Sequence, residues 1–381
     1  MLSNFLIKVI VLFLPTQLGL HFWPTFSRVA GIKVDYLSPT LYFLDIMLFL
    51  LVFLNLKLVF NYLKKNLLSL GIFLSIIFLN TLFSVSPLNS LFWWLRLILY
   101  LLVFLILRLR KLQWKDISTP LLFSTSLLLI LEVLQLLFQS SLGGPFYFLG
   151  ERTYSSATPG IGRFNLFGQE ILRPIGTFSH ANSLAGYLLI VFYLFSKKTS
   201  RSWYKIIPFI GILLTFSKSA VFSLAFLLFS LKPEIIIFLS LLLTLIQPLI
   251  QNFISFSWQP LFDRLFYFSY LKKILLQNPL TGTGLGNFIP SLGKLLPGSF
   301  LTPSKLQPIH NLPYLYLSEL GILGSLFLIL NVLKKKTFKI LTNPLVLGLL
   351  AIVIFTGTFD HYFWTLPQNK LIFLFALAIM L

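Results

Sequence analysis

The feature that constrains this chain most is the recurrence of apolar runs about twenty residues long, each enough to cross the hydrocarbon core of a bilayer as a helix. Twelve are readable: 4–22, 40–60, 66–83, 88–107, 119–138, 181–196, 203–215, 217–231, 234–250, 312–333, 341–358 and 368–381. Apolar residues make up 57% of the 381 and Phe alone occurs 42 times, more than one water-soluble core of this size can hide. The expectation is an all-α integral membrane protein of about 12 transmembrane helices, with residues 1–381 forming a single polytopic domain. The first run holds only Lys8 and shows no small-residue cleavage site, so it reads as a retained span. The absence of cysteine excludes disulfides and thiolate metal sites.

A formal charge of +20 would suggest nucleic acid in a soluble chain, but here its placement gives topology instead. The short connections after the second, fourth, sixth, eighth and tenth runs carry Lys57, Lys64 and Lys65; Arg108, Arg110, Lys111 and Lys115; Lys197, Lys198, Arg201 and Lys205; Lys232; and Lys334, Lys335, Lys336 and Lys339. The short connections on the other side carry only Arg28, Lys33, Lys218 and Lys370. The positive-inside rule then places both termini in the cytoplasm and the two long polar interruptions, 139–180 and 251–311, outside. The Gly and Pro punctuation of the second suggests defined turns, without the repeats of a flexible linker.

Ionisable groups at membrane depth are costly, so Asp45, Arg96 and Glu132 stand out; pairing with each other or with backbone groups, with Arg96 a natural partner for both carboxylates, is the structural reading. At the close of the first long loop, Asn182 or Ser179 can cap the helix that follows, which leaves Arg173 and His180 unexplained. Arg173 sits where a guanidinium fork suits a pair of phosphate oxygens. Lys218, in the tight turn Thr215-Phe-Ser-Lys218, is a second cation on the same side, or a snorkelling lysine. Gly282-Thr-Gly-Leu-Gly286 lacks the preceding strand of a dinucleotide fingerprint and reads as plain turn structure, with tight turns that bring backbone N–H groups near an anion as the alternative. His310 precedes Asn311, a candidate N-cap with Pro313 in the first turn, so its ring stands outside a positive helix end that disfavours imidazolium. The other histidines, His21, His180 and His361, fall on the same side.

Taken together, Arg173-x-x-Gly-Thr-Phe-x-His180-x-Asn182-x-x-Ala185, Thr215-Phe-Ser-Lys218-x-Ala220, Arg264, Asn278-Pro-Leu-x-Gly-x-Gly-x-Gly-Asn-Phe288 and His310-Asn311 with Glu319-x-Gly321-Ile-x-Gly324 resemble the O-antigen ligase and O-antigen polymerase superfamily. The resemblance covers roughly residues 170–330; outside it only the number and hydrophobicity of the spans agree. It implies a twelve-span, C-type glycosyltransferase that moves a glycan from a polyprenyl diphosphate carrier to a glycan, lipid or protein acceptor on the outer face of the cytoplasmic membrane. It implies no cofactor, no obligatory metal and no nucleic acid. Carried over position by position, Arg173 and Arg264 would hold the diphosphate and His310 would act on the acceptor hydroxyl as catalytic residue. His180, Asn182, Lys218, Asn311, Glu319 and His361 would line the substrate site. Where the family commonly has Arg this chain has Lys218, which loses a bidentate contact.

The chemistry fits these residue types without the family. Diphosphate is a good leaving group, so cations to meet its charge and one base suffice, without the paired carboxylates of a glycoside hydrolase. Two other classes remain at this stage. A transporter or flippase of lipid-linked glycan would use the same cations for binding but favours midplane charges and paired broken helices. A non-catalytic envelope scaffold would have no need of His310.

Overall fold

The computed structural model describes residues 2–158, 160–250, 265–334 and 339–381. The chain is mostly helical, at 67%, with a few strands of two to four residues. The helices are α1 Leu2–Phe13, α2 Phe43–Phe53, α3 Leu56–Lys65, α4 Leu67–Leu82, α5 Pro87–Leu109, α6 Trp114–Phe138, α7 Pro145–Phe148, α8 Ala181–Lys198, α9 Trp203–Leu214, α10 Lys218–Leu228 and α11 Pro233–Ile250. They continue with α12 Phe268–Gln277, α13 Phe288–Gly293, α14 Leu312–Leu333, α15 Pro344–Gly357, α16 Tyr362–Thr365 and α17 Pro367–Met380.

Every apolar run contains a helix, yet the expectation of about twelve full spans is overturned. Among the described residues, α5, α6, α11 and α14 are long and apolar enough to cross a membrane, and a fifth span results if α2 and α3, bent by 69°, count as one. Six further apolar helices have 10–17 residues. At 1.5 Å per residue they reach roughly 15–26 Å, short of a hydrocarbon core of about 30 Å. Composition overestimated them because apolar residues also build non-helical backbone. The first run stops being helical after Phe13, near Pro15, and its remainder supplies strand β1, Gly19–His21, paired antiparallel with β4, Thr40–Tyr42. Between them Arg28–Val29 (β2) pairs with Ile32–Lys33 (β3). The protein is thus a membrane-embedded helical bundle with fewer full spans than apolar runs.

Helix α8 is the hub. Residues Ala181 to Phe195 are buried around the whole circumference, and α6, α9, α10, α15 and α17 all pack against it. A helix facing protein on every side needs no lipid-compatible surface, which is how it tolerates Asn182, Ser183 and Gly186. A second core joins Val34 and Leu37 to Leu271, Phe288, Leu292, Ile309 and Leu315, so the segment that follows residue 264 rests on the loop after β3.

Helix α14 is broken at Gly321, whose φ of 63° lies in the left-handed region. The Gly-rich loop fills the break: Thr283 N–H donates to Ser318 O, Gly284 N–H to Glu319 O, and Ile322 and Leu323 N–H to Pro279 and Leu280 O. Asn80 seals the join, donating to Thr281 O and Glu319 O while accepting from Trp94 Nε1 and Leu285 N–H. Gly282-Thr-Gly-Leu-Gly286 therefore packs its backbone into the break in α14.

Of the membrane-depth charges, Arg96 and Asp45 pair at 2.8 Å, and Arg96 also donates to Thr40 O. Glu132 departs from expectation. It is fully buried, and neither carboxylate oxygen meets a hydrogen-bond donor among the described residues.

Candidate functional site

The candidate side chains converge where the N-terminal end of α8, the N-terminal end of α14 and the turn between α15 and α16 meet. His180 is the N-cap of α8, its Nδ1 accepting from Asn182 N–H at 3.1 Å. Neither residue expected to cap does so, and Asn182 is thereby released for other contacts. Its Oδ1 accepts from Arg173 Nη2 at 2.7 Å, and its Nδ2 donates to Asp360 Oδ2 at 3.0 Å. Arg173 also donates through Nε to Thr215 O at 2.7 Å, which ties it to the turn that leads into Lys218. Lys218 itself is exposed at the first position of α10.

Asp360 links the two halves of the site. Its Oδ1 accepts from the backbone N–H of His361 at 2.8 Å and lies 3.6 Å from His310 Nδ1 and 3.9 Å from His361 Nε2. The imidazole rings are 5.1 Å apart, with Tyr267 edge-on to His310 and Tyr36 edge-on to His361. Burial alone would raise the Asp360 carboxyl, but His310 beside it, with His361 and His180 through space, holds it well below the usual carboxylate range. Burial pushes His361 down to about 3, with Asp360 opposing the shift and His310 and His180 adding to it, so the ring is uncharged at neutral pH.

Asn311 braces the position next to His310. It is the N-cap of α14, as expected, accepting from Tyr314 N–H at 3.1 Å, while its Nδ2 donates to Gln247 Oε1 at 2.8 Å. Gln247 in turn donates to Thr358 O at 2.9 Å, two residues before Asp360. His310 is the most open of the triplet, its side chain 22% exposed against 4% for that of His361.

An apolar cavity of about 230 Å³ adjoins the triplet and shares Tyr36 and Thr365 with its surroundings. Trp93, Leu285, Phe288 and Phe363 wall it. Glu319 opens onto it and accepts from Trp364 Nε1 at 2.8 Å, and Lys370 enters with its ammonium 5.0 Å from the Trp93 ring centre.

Arg173, His180, Asn182, His310, Asn311 and His361 therefore come together, with Lys218 exposed at the start of the helix that follows Thr215 and Glu319 on the cavity wall. His21 does not join them. It lies in β1, within 2.9 Å of Thr40 Oγ1 and stacked on Trp23, so the expected group of four histidines is a group of three. Arg264 falls outside the described residues. Arg163 and Glu170 pair with each other, exposed, in a hairpin of β5 (Arg163–Leu166) and β6 (Gln169–Leu172). Sequence reasoning gave no site role to Asp360, Gln247 or Lys370. The signal for Asp360 was an acid next to a histidine at the end of an apolar run, in a chain with only ten Asp and Glu. Among the described residues, His310, Asp360 and His361 are the one group with the donors and spacing to hold a metal ion.

Comparisons of the chain with protein-family models, with curated proteins and with solved structures returned no match.

Proposed function

We propose that this protein is a membrane glycosyltransferase that moves a glycan from a polyprenyl diphosphate carrier to an acceptor hydroxyl, at the outer face of the cytoplasmic membrane, with both termini inside. The observation that carries the reading is the run of hydrogen bonds from Arg173 through Asn182 to Asp360, whose Oδ1 lies 3.6 Å from His310 Nδ1, so that a guanidinium and an imidazole flank one carboxylate. Transfer breaks the bond from the anomeric carbon to the phosphate oxygen, whose electron pair stays on the diphosphate. A new bond forms to the acceptor oxygen, and the acceptor proton must leave. Arg173 meets the leaving charge with Lys218 nearby, and Arg264 joins them by resemblance. His310, open on one side, is the group placed to orient the hydroxyl and take its proton. The apolar cavity beside the triplet suits part of a lipid chain.

The test is transfer in proteoliposomes carrying polyprenyl diphosphate glycan and a hydroxyl acceptor. Product that depends on Arg173 and His310 supports the reading; movement of lipid-linked glycan across the bilayer without a new glycosidic bond replaces it with transport. Ligation and polymerisation are separated by the envelope glycans of a strain lacking the protein. Loss of long chains with short ones kept indicates a polymerase, and polymer accumulating on the carrier indicates a ligase.

A further inference from the structure

We propose that His310, Asp360 and His361 form a binding site for one divalent transition-metal ion of the zinc class. The resemblance implied no obligatory metal, so the inference goes beyond the transfer reading and rests on the geometry of the triplet alone.

One ligand atom from each residue lies within 4.8 Å of the others, and the two contacts to Asp360 Oδ1 are 3.6 and 3.9 Å. A point equidistant from three atoms so spaced lies at most about 2.4 Å from each, so a contraction of a few tenths of an ångström reaches the zinc–ligand distance of about 2.0–2.2 Å. Neither contact is short enough to be a hydrogen bond. His310 Nδ1 and His361 Nε2 are both buried without a hydrogen-bond partner among the described residues.

His361 is held on its Nδ1 side, and its Nε2 is the nitrogen nearer Asp360. Its Nδ1 lies 2.9 Å from Thr365 Oγ1, and that hydroxyl donates to the His361 carbonyl at 3.3 Å. In the tautomer whose Nδ1–H donates to Thr365, with the hydroxyl donating on to the carbonyl, Nε2 presents its lone pair toward Asp360. An imidazole lone pair and a carboxylate oxygen thus face one point, with the second imidazole nitrogen beside them. Electron pairs converging in a buried place repel unless a cation lies between them.

The carboxylate is oriented from behind, Asn182 Nδ2 holding Oδ2 and Arg173 holding Asn182, as outer partners orient metal ligands. Two imidazoles and one carboxylate match the borderline-soft preference of zinc and differ from the all-oxygen sets of magnesium and calcium. Three protein ligands leave a coordination position for an oxygen, and an acceptor hydroxyl there would have its proton acidified by the ion. His310 would then act as a ligand in place of a proton acceptor; the Arg173 half of the site is unchanged.

The experiment uses the full chain, purified without a histidine tag, stripped with chelator and titrated with Zn²⁺ or Co²⁺ alone. Wild type is expected to retain one equivalent of zinc and to show visible cobalt bands of a nitrogen–oxygen site. His310→Gln, at the most open position, is expected to lose the equivalent while melting like the metal-free wild type. Asn182→Ala should weaken the ion about 10–100-fold through the freed carboxylate. His21→Gln should keep it. Less than a tenth of an equivalent in wild type, or undiminished binding in His310→Gln, overturns the proposal and leaves a proton as the cation shared with Asp360. Zinc bound at one equivalent without glycosyl transfer removes the transfer reading and keeps the site; transfer by a chain that never takes up zinc does the reverse.

Discussion

Gly282 and Gly321 lie back to back: a β-carbon built on Gly321 would stand 2.4 Å from Gly282 N, and one on Gly282 would stand 2.4 Å from Glu319 O. The break in α14 and the loop that fills it are therefore one structure, in which neither glycine can change alone. Both residues have positive φ, so an L side chain meets strain and collision together. Gly282→Ala and Gly321→Ala should each cost at least about 2 kcal/mol, seen as a lower melting temperature in detergent. Gly298→Ala, with open space around its β-carbon, is the control. Equal melting of the three variants would remove the interlock as a source of stability.

Arg173 spends Nε on Thr215 O and Nη2 on Asn182. Arg173→Ala should slow transfer by about 10–150-fold, the equivalent of 1.5–3 kcal/mol for a hydrogen bond to a charged group. Arg173→Lys should rescue only part, because a single ammonium lacks the fork that reaches both partners. Wild-type turnover in the alanine variant, at normal membrane abundance, would take the residue out of the site.

His310→Ala should lose about 10²–10⁴-fold in turnover with carrier-lipid binding largely kept, whether the ring takes a proton or holds an ion. His310→Gln separates positioning from proton acceptance, since glutamine can hydrogen-bond the hydroxyl but cannot take its proton. A His310→Ala protein turning over at the normal rate would leave Asp360 without a catalytic partner at that position.

Glu132 gives a prediction of opposite sign. Its carboxyl is buried without a donor among the described residues and packs against Gly211, so Glu132→Met should raise stability by about 1–3 kcal/mol. A fall in melting temperature would show that the carboxyl has a partner in the folded protein.

Orientation is tested by reporter fusions. Those at Lys65 and Lys198 should read cytoplasmic and one at Leu296 external; an external signal at Lys198 would invert the topology.

Apolar period and capping chemistry were enough to read helix positions along most of the chain, including Asn311 as the cap of α14. They failed on span number, since a run such as 4–22 says how apolar a segment is but not where its backbone leaves the helix for β1. The site was half legible. Arg173, Asn182 and His310 announced themselves as polar residues at the edges of apolar runs. Asp360 did not, because its role comes from Asn182, a partner 178 residues away that no local pattern connects to it. Glu132 and Arg96 were assigned to each other on charge alone, whereas Asp45 is the only one of the two carboxylates that the packing brings to Arg96.

Helix α8 was described as packed by protein on every side, and α15 and α17 are two of the elements that cover it. Asp360 and His361 lie between those two helices and leave the ribosome well after Asn182 has been made. During synthesis the polar end of α8 must therefore wait, uncovered, until the later helices dock, and only that docking brings Asp360 to Asn182. Covering the hub and completing the triplet are a single event, so a chain halted before residue 360 lacks both Asp360 and His361 and leaves the polar end of α8 without that carboxylate.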